Sequence, residues 1–369
     1  MTPSVDVIVI GGGAVGSACA RELAARGRGV LVLDRGTDEG QAWRAAAGML
    51  AAQTDGGSED PLYEMGLAGR ELIYSVAPEL QESTGVDLSL RRDGIAKIAL
   101  TDDDVGPLKG KVAWQRQQGH LVDWLDATET RSRYPWAGKA HGALWAPHDG
   151  AIDPRKLVEA LVADATKRGA KVERAPVLSL LREGDRISGV QTAQGTWRAE
   201  HVVLAAGAWS GKIEGLPRPV SVEPVRGQMA AFPWPAGADQ AIVQGSGVYI
   251  VPRGDEAIVG STMEAAGFRP ESTPAGLAHL FAKASSLVPA LAHLEVRRTW
   301  AGLRPGTPDG LPIIGREPRA EGLWYATGHG REGILLSLVT GRLIAELVTG
   351  ETPMVEDLHA VRPDRFWNW

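Results

Sequence analysis

The sequence predicts an α/β protein in which a nucleotide-binding domain is interleaved with a second, β-rich (α+β) domain. Three observations carry that prediction. A strand–glycine–helix–strand unit opens the chain, two further strand-and-glycine segments lie near residues 200–207 and 323–333, and β-rich stretches separate them.

Residues 5–10 are a short β-branched run, suited to a strand buried on both faces of a parallel sheet. Glycines follow at once. Residues 14–26 are small and apolar, with Arg21, Glu22 and Arg26 on one polar side, and Gly27 and Gly29 stop this helix. Residues 29–34 form the second strand. Helical spacing covers 59–82. After Ser89 short strands and turns begin, with a strand at 95–100 behind Asp93-Gly94, and a helix is expected over 109–119. Asp153 reads as an N-cap with Pro154 at the first helical position, and Leu157, Val158, Leu161 and Val162 make the amphipathic face. Residues 171–173, 177–181 and 187–192 read as strands, with Glu183-Gly184 as a hairpin turn. Residues 200–206 are a buried strand ending in Gly207. Strands dominate 220–298, interrupted by a helix at 273–287. The strand 323–327, a glycine cluster and a helix over 333–348 complete the order. The α/β pieces at the start, middle and end predict two discontinuous domains, one of 1-85, 150-219 and 300-369 and the other of 86-149 and 220-299.

A chain of 369 residues has room for two to three domains of about 150 residues each. With 44% hydrophobic and 23% charged residues it is globular, not disordered. The single cysteine, Cys19, excludes an intramolecular disulfide framework, a CxxC redox pair, a thiolate zinc site and a protein-held iron–sulfur cluster, and fits a reducing compartment. The one asparagine, Asn368, is followed by Trp369, so no N-glycosylation acceptor is present. A net charge of −6 with no basic cluster argues against nucleic acid and against a membrane surface. The apolar stretch 7–20 is too short to span a bilayer, is broken by glycines and has no basic region before it. A cytoplasmic protein without signal peptide or transmembrane helix is therefore expected. The GxSxG, HExxH and GxxxxGK[ST] motifs are all absent, and no metal site is expected.

Gly11-x-Gly13-x-x-Gly16 lies between a strand and a helix. The first glycine permits the tight turn, the second lets the backbone approach a pyrophosphate, and the third allows close helix–strand packing. The helix N-terminus offers free N–H groups and a positive dipole end to the phosphates. Asp34 ends the next strand, where an acidic residue accepts from the adenosine ribose. Its charge disfavours a 2′-phosphate, although Arg35 adjoins it. This unit alone does not choose between NAD and FAD. Three features favour a flavin. In the run Arg44-Ala-Ala-Ala-Gly-Met-Leu50, small residues let backbone lie against a planar cofactor; the same run also reads as an Ala-rich helix start. The strand Val202-Val-Leu-Ala-Ala-Gly207 ends in a small-residue turn. Gly328-His-Gly-Arg-Glu-Gly333 runs into Ile334-Leu-Leu as a glycine-rich helix start, whose N–H groups suit the negative charge of a reduced flavin. The expected cofactor-binding set is Gly11, Gly13, Ala14, Val15, Gly16, Asp34, Arg35, Trp43, Arg44, Ala46, Ala47, Gly48, Met49, Val177, Ala206, Gly207, His329, Gly330, Arg331, Glu332, Gly333, Ile334 and Leu335.

Together with Tyr249-Ile-Val-Pro-Arg253, Val259-Gly-Ser-Thr-Met263, Trp300-Ala-Gly-Leu-Arg-Pro-Gly-Thr307 and Leu358-His-Ala-Val-Arg362, these motifs resemble the glycine oxidases of the thiazole-biosynthesis type. These belong to the D-amino acid oxidase and sarcosine oxidase family of FAD-dependent amine oxidoreductases. The resemblance runs nearly end to end. It implies a Rossmann-like FAD-binding domain interleaved with a β-rich substrate-binding domain, a small amino acid substrate, dioxygen as oxidant and a homo-oligomer. It also implies site roles: Arg304 clamps the substrate carboxylate, Tyr249 donates to the same group, Met263 lines the pocket, and Arg331 sits over the flavin. A planar guanidinium suits this work because it binds a carboxylate bidentately. Covalent flavin attachment in sarcosine-oxidase relatives uses a cysteine; Cys19 lies on the adenosine side, so noncovalent FAD is expected. The implied reaction is hydride transfer from Cα to flavin N5, imine hydrolysis to glyoxylate and amine, and reoxidation by dioxygen to hydrogen peroxide. His148 and His293 read as exposed or internally satisfied, and His329 as acting through its backbone.

Three positions depart from the family pattern. Gly330 replaces a bulky aromatic, Ser337-Leu338 replace Ala-Pro, and Trp43-Arg44 replace the Ser/Thr residues before the triple alanine. An opened site at 330 predicts an N-substituted glycine as substrate. A D-amino acid oxidase or dehydrogenase is the alternative within the class, because Arg304 would serve it equally. A non-catalytic flavin- or dinucleotide-binding module is the alternative outside it. Trp114, Trp124, Trp136 and Trp145 read either as core or as a wall of a large apolar pocket.

Overall fold

A computed structural model describes residues 4–37 and 39–366. The opening β-branched run is strand β1 (Ser4–Ile10), which pairs in parallel with β2 (Val30–Asp34) on one side and with the strand Gly195–Leu204 on the other. The first sheet runs in the order Ile313–Arg316, Leu323–Thr327, Gly195–Leu204, β1, β2, Lys171–Arg174, and Gly195–Leu204 also carries the hairpin Val177–Glu183/Arg186–Thr192. The alternation of β1 explains its composition. Val7 and Val9 face helix α1 (Ala14–Ala25) and the C-terminal helix Ser337–Thr349, while Ile8 and Ile10 pack with Leu31, Leu33, Leu204 and Tyr325 on the opposite face. Burial of each such aliphatic side chain contributes roughly 1.5–3 kcal/mol relative to exposure, so a polar residue at either phase is disfavoured.

The second sheet runs Arg298–Gly306, Glu223–Pro233, Glu256–Gly260, Val248–Arg253, Ile242–Gly245, Ile95–Ala99, Gly142–Ala146, Asp123–Asp126. All its pairs are antiparallel except Ile242–Gly245 with Ile95–Ala99. Ala230, Phe232, Ile250 and Val259 face the helix Pro274–Leu287, whereas Met229, Ala231, Val251 and Ile258 face Ala47 and Ala51 of the first half. Between the sheets run the short helices α2 (Ala42–Ala45) and α3 (Ala52–Asp55), followed by the long helix α4 (Tyr63–Thr84). Strands between residues 4 and 34, 171 and 204, and 313 and 327 make the first sheet, and those between 95 and 146 and between 223 and 306 make the second.

Several boundaries differ from expectation. The helix expected at 109–119 spans Asp102–Gln117, because a Thr101/Asp104 capping box and two further aspartates start it where Gly106 and Pro107 suggest a loop. The strand expected at 200–206 is Gly195–Leu204; its early residues pair with the hairpin, and it ends with Ala205 N donating to Ile10 O of β1 at 2.9 Å. The helix expected from 333 begins at Ser337, because 328–336 coil into turns in which Gly330 N donates to Pro305 O and Leu336 N to Glu332 O. Among the described residues, no helix is long and apolar enough to cross a membrane.

Helix α1 and Ser337–Thr349 meet at Gly341, where an added Cβ would lie 2.6 Å from the Ala18 carbonyl carbon. Gly341→Val is therefore expected to lower unfolding free energy by about 1–3 kcal/mol, whereas Ala25→Gln at an exposed position of α1 should change it by less than about 0.5 kcal/mol. Urea unfolding of both variants checks this, and equal effects would contradict it.

Candidate functional site

One large cavity opens where the C-terminal ends of β1, β2 and Gly195–Leu204 meet the inner face of the second sheet. It encloses about 1920 Å³ of space including its mouth. At its nucleotide end β1 turns into α1. Gly11 has φ +102°, and a Cβ there would sit 2.5 Å from Ala205 O; a Cβ on Gly16 would sit 1.9 Å from Gly11 O. The turn therefore tolerates no side chain, and α1 begins flush with the cavity. The helix has no side-chain cap and no acid in its first turn, so its first N–H groups and positive dipole end are open to an anion. Asp34 accepts from Gly12 N at 2.8 Å and from Gly36 N at 2.7 Å, and the carboxylate has acceptor capacity left for ribose hydroxyls. Beside it the Arg35 guanidinium stacks 3.4 Å from the centroid of the Trp209 ring. These features fit a dinucleotide.

The middle of the cavity is walled by small residues. Helix α2 ends at Ala45, and Ala46, Ala47, Gly48 and Met49 then run along the wall with little side chain to intrude. So the alanine run is a helix end, not a helix start, followed by a strap that faces the cavity. Three contacts hold this strap to the second half: Trp300 Nε1 donates to Ala45 O at 3.0 Å, Arg253 Nη2 to Ala47 O at 2.7 Å, and Leu303 N to Gly40 O at 2.9 Å.

The far end carries the charged groups. Arg304 Nη2 donates to Ser261 Oγ at 2.6 Å, and Nη1 to Thr262 O at 3.1 Å and Met263 Sδ at 3.5 Å. All these acceptors are neutral, and among the described residues no carboxylate pairs with Arg304. Burial holds its guanidinium below the ordinary arginine range, with Tyr249 opposing and Arg331 adding to the effect. Its side chain lies over Gly227, where any Cβ would clash with the guanidinium. Tyr249 Oη lies 3.4 Å from Met229 Sδ. Arg331 Nη2 donates to Asp55 Oδ2 at 3.2 Å. Burial, then the neighbouring Asp55, pushes the Glu332 carboxyl up to about 7.

The cavity wall brings together twenty-two of the expected residues: Gly11, Gly13, Ala14, Val15, Asp34, Arg35, Trp43, Ala46, Ala47, Gly48, Met49, Val177, Ala206, Gly207, Tyr249, Arg304, His329, Gly330, Arg331, Glu332, Gly333 and Ile334. Four lie off it. Gly16 packs under the turn. Arg44 stacks on Trp43 and bonds Gln41 Oε1. Leu335 is buried against α4, near Gly66 and Gly69. Met263 is 60% exposed at the rim, touching Arg304 with its sulfur. Sequence reasoning misses Asp55, Gly227 and Ser261. Ser261 lies inside the quoted 259–263 motif, whereas no local pattern marks Asp55. Trp114, Trp124, Trp136 and Trp145 lie off the cavity: Trp114 packs on Tyr63, Trp136 on Tyr134 and Trp234, and Trp145 under Arg133. All four are half-buried, with Trp124, Trp136 and Trp145 packed at the edge of the core. His148 and His293 are exposed. Cys19 is fully buried in the core.

Residues 6–347 match the family model described as FAD dependent oxidoreductase (DAO). The chain is 36% identical over 353 residues to the glycine oxidase of Geobacillus kaustophilus, covering 94% of each chain. The crystal structure of glycine oxidase from Geobacillus kaustophilus superposes with a TM-score of 0.93 at 34% identity, covering 99% of both chains. That of iminodiacetate oxidase from Chelativorans sp. superposes with a TM-score of 0.89 at 25% identity, covering 97% of this chain and 98% of the other.

His329 is buried beside the cavity with Nε2 3.0 Å from Thr340 Oγ1, and burial holds its pKa down to about 3. Its unfolded value is about 6.5. Between these values the unfolded chain binds the extra proton, so the contribution is present above pH 6.5 and is lost as pH falls toward 3. His329→Gln should therefore flatten the fall of unfolding free energy between pH 6 and 4 by up to about 1.4 kcal/mol per pH unit. Parallel slopes for wild type and variant would contradict this.

Proposed function

The chain belongs to the DAO family of FAD-dependent oxidoreductases, and on that premise we propose that it oxidises glycine-type amino acids at the α-carbon, with an N-substituted glycine preferred to free glycine. The observation that carries the reading is the charged end of the cavity: a guanidinium on neutral acceptors, beside a tyrosine, next to the family's cofactor site. Bound FAD supplies the hydride acceptor at flavin N5, dioxygen reoxidises it with release of hydrogen peroxide, and the imine product hydrolyses in water to glyoxylate and the amine.

In this reading Arg304 receives the α-carboxylate. Its planar fork fixes two oxygens at once and so fixes the direction of the α-carbon. Ser261 and Thr262 hold that fork in place before the substrate arrives. Tyr249 donates its hydroxyl to the same carboxylate. Met263, at the rim beside Arg304, borders the entrance. The chain's own part is orientation and charge, and no side chain is assigned as a general base.

Two features support an N-substituent. A Cβ on Gly330 would meet nothing within 4 Å, so no other part of the chain fills the space immediately beside it. A structural relative is an oxidase of iminodiacetate, itself an N-substituted glycine. Noncovalent FAD and a cytoplasmic location are part of the proposal; burial of Cys19 away from the cavity supports the first, and the cysteine-poor composition the second.

Steady-state, peroxide-coupled kinetics on glycine, sarcosine, N-ethylglycine and D-alanine test the reading. The N-alkylglycines should give the highest kcat/KM. A clear preference for free glycine over every substituted form would sink the N-substituent assignment, and a preference for D-alanine would favour a D-amino acid oxidase. Arg304→Gln should lower kcat/KM at least about a hundredfold, because it removes a charged bidentate contact with a desolvated carboxylate. An unchanged value would remove Arg304 from the site.

A further inference from the structure

The cavity holds two guanidinium groups, and they are treated differently. Arg304 and Arg331 both open on it, close enough for each charge to be felt by the other. Arg304 rests on neutral acceptors. Arg331 is engaged by a carboxylate, Asp55, at 3.2 Å.

Asp55 is not a loosely held surface acid. It ends α3, a four-residue helix fastened at both ends. At the start of α3, the fully buried Asp149 carboxylate accepts from Gln53 N at 3.1 Å, Thr54 N at 2.8 Å and Thr54 Oγ1 at 3.0 Å, and Arg70 compensates its charge at 2.8 Å. At its end, Lys97 Nζ and Lys111 Nζ bond Thr54 O at 3.1 and 3.0 Å, and Lys111 Nζ also bonds Asp55 O at 3.2 Å. An isolated helix of this length has no stability of its own; the buried acid and the two lysines set its place. The Asp55 carboxylate is then shared, Oδ1 toward Lys97 at 3.3 Å and Oδ2 toward Arg331. Its side chain is 20% exposed, against 53% for Arg331.

We propose that Asp55 is a specificity-determining residue: by occupying Arg331 it masks the second cation of the cavity, so that the site accepts amino acids with one carboxylate and disfavours those with a second carboxylate on the nitrogen substituent. This rests on the reading above that Arg304 takes the α-carboxylate. With Arg304 neutralised by that group, Arg331 is already engaged by Asp55, whose carboxylate it shares with Lys97. A second substrate carboxylate meets the Asp55 carboxylate rather than a free guanidinium. Without the Asp55 charge, Arg331 becomes a second carboxylate receptor in the same cavity as Arg304.

The test uses FAD-loaded protein and two ligands that cannot be oxidised as amines. Methoxyacetate has the shape of sarcosine with oxygen in place of nitrogen, and diglycolate is the matching dicarboxylate. Perturbation of flavin absorbance gives a dissociation constant for each. In the wild type, diglycolate should bind no more tightly than methoxyacetate. In Asp55→Asn the ratio of diglycolate to methoxyacetate affinity should rise about tenfold or more. Asp55→Glu should restore the wild-type ratio, and Asp55→Asn/Arg331→Met should lose the gain, neither of which a general loosening of α3 would produce. An unaltered ratio in Asp55→Asn, or a gain that survives loss of Arg331, overturns the proposal. Failure of Arg304→Gln to weaken methoxyacetate would instead overturn the carboxylate site on which it rests.

Discussion

The arrangement of the cavity depends on one constraint: a cation, Arg304, held inside it by neutral acceptors only. Moving a charged group from water into protein is costly unless it is paired and hydrogen-bonded. The structure meets the hydrogen-bonding half of that requirement with Ser261 and Thr262 and leaves the charge for an anion to complete. The sheet register makes this possible. Arg304 lies opposite Val225 and Gly227 lies opposite Gly302, so the arginine reaches across a position with no side chain. The same register leaves Gly302 against the Ala45 Cβ, which brings α2 up to the strand.

From that point the two halves of the molecule become one site. Trp300 and Arg253 reach from the second sheet to the carbonyls of Ala45 and Ala47, and Pro305 accepts from Gly330. Each contact ties a residue of the second sheet to a backbone segment on the opposite wall of the cavity. The distance from Arg304 to the wall at 46–49 is thereby set by hydrogen bonds between motifs far apart in sequence. Orientation of this kind is the protein's main contribution when the cofactor performs the difficult step.

What the sequence made legible follows the range of each interaction. The β1–α1–β2 unit was readable because glycines, small helix residues and Asp34 lie within 34 residues and act locally. The strap at 46–49 was readable from its composition, but not the contacts that hold it. The Asp55–Arg331 pair spans 276 residues, and nothing near either partner announces the other. The helix Asp102–Gln117 starts ahead of the 109–119 that the sequence predicts, because the Thr101–Asp104 box starts it at the aspartates. The turns at 328–336 were read as a helix start because Ile334, Leu335 and Leu336 are apolar; tertiary packing against α4 and a hydrogen bond to Pro305 decide otherwise. The tryptophans divide the same way, with Trp43 and Trp209 on the cavity, Trp114 and Trp136 against other aromatic rings, and Trp124 and Trp145 beneath cationic side chains.

The central claim is that a carboxylate on Arg304 presents the α-carbon to the flavin. Anaerobic mixing of the FAD-loaded protein with sarcosine, and separately with dimethylamine, tests it most directly. The account predicts loss of the oxidised flavin absorbance with sarcosine and none with dimethylamine, which has the same amine without the carboxylate. Equal bleaching by both, or by neither, would contradict it.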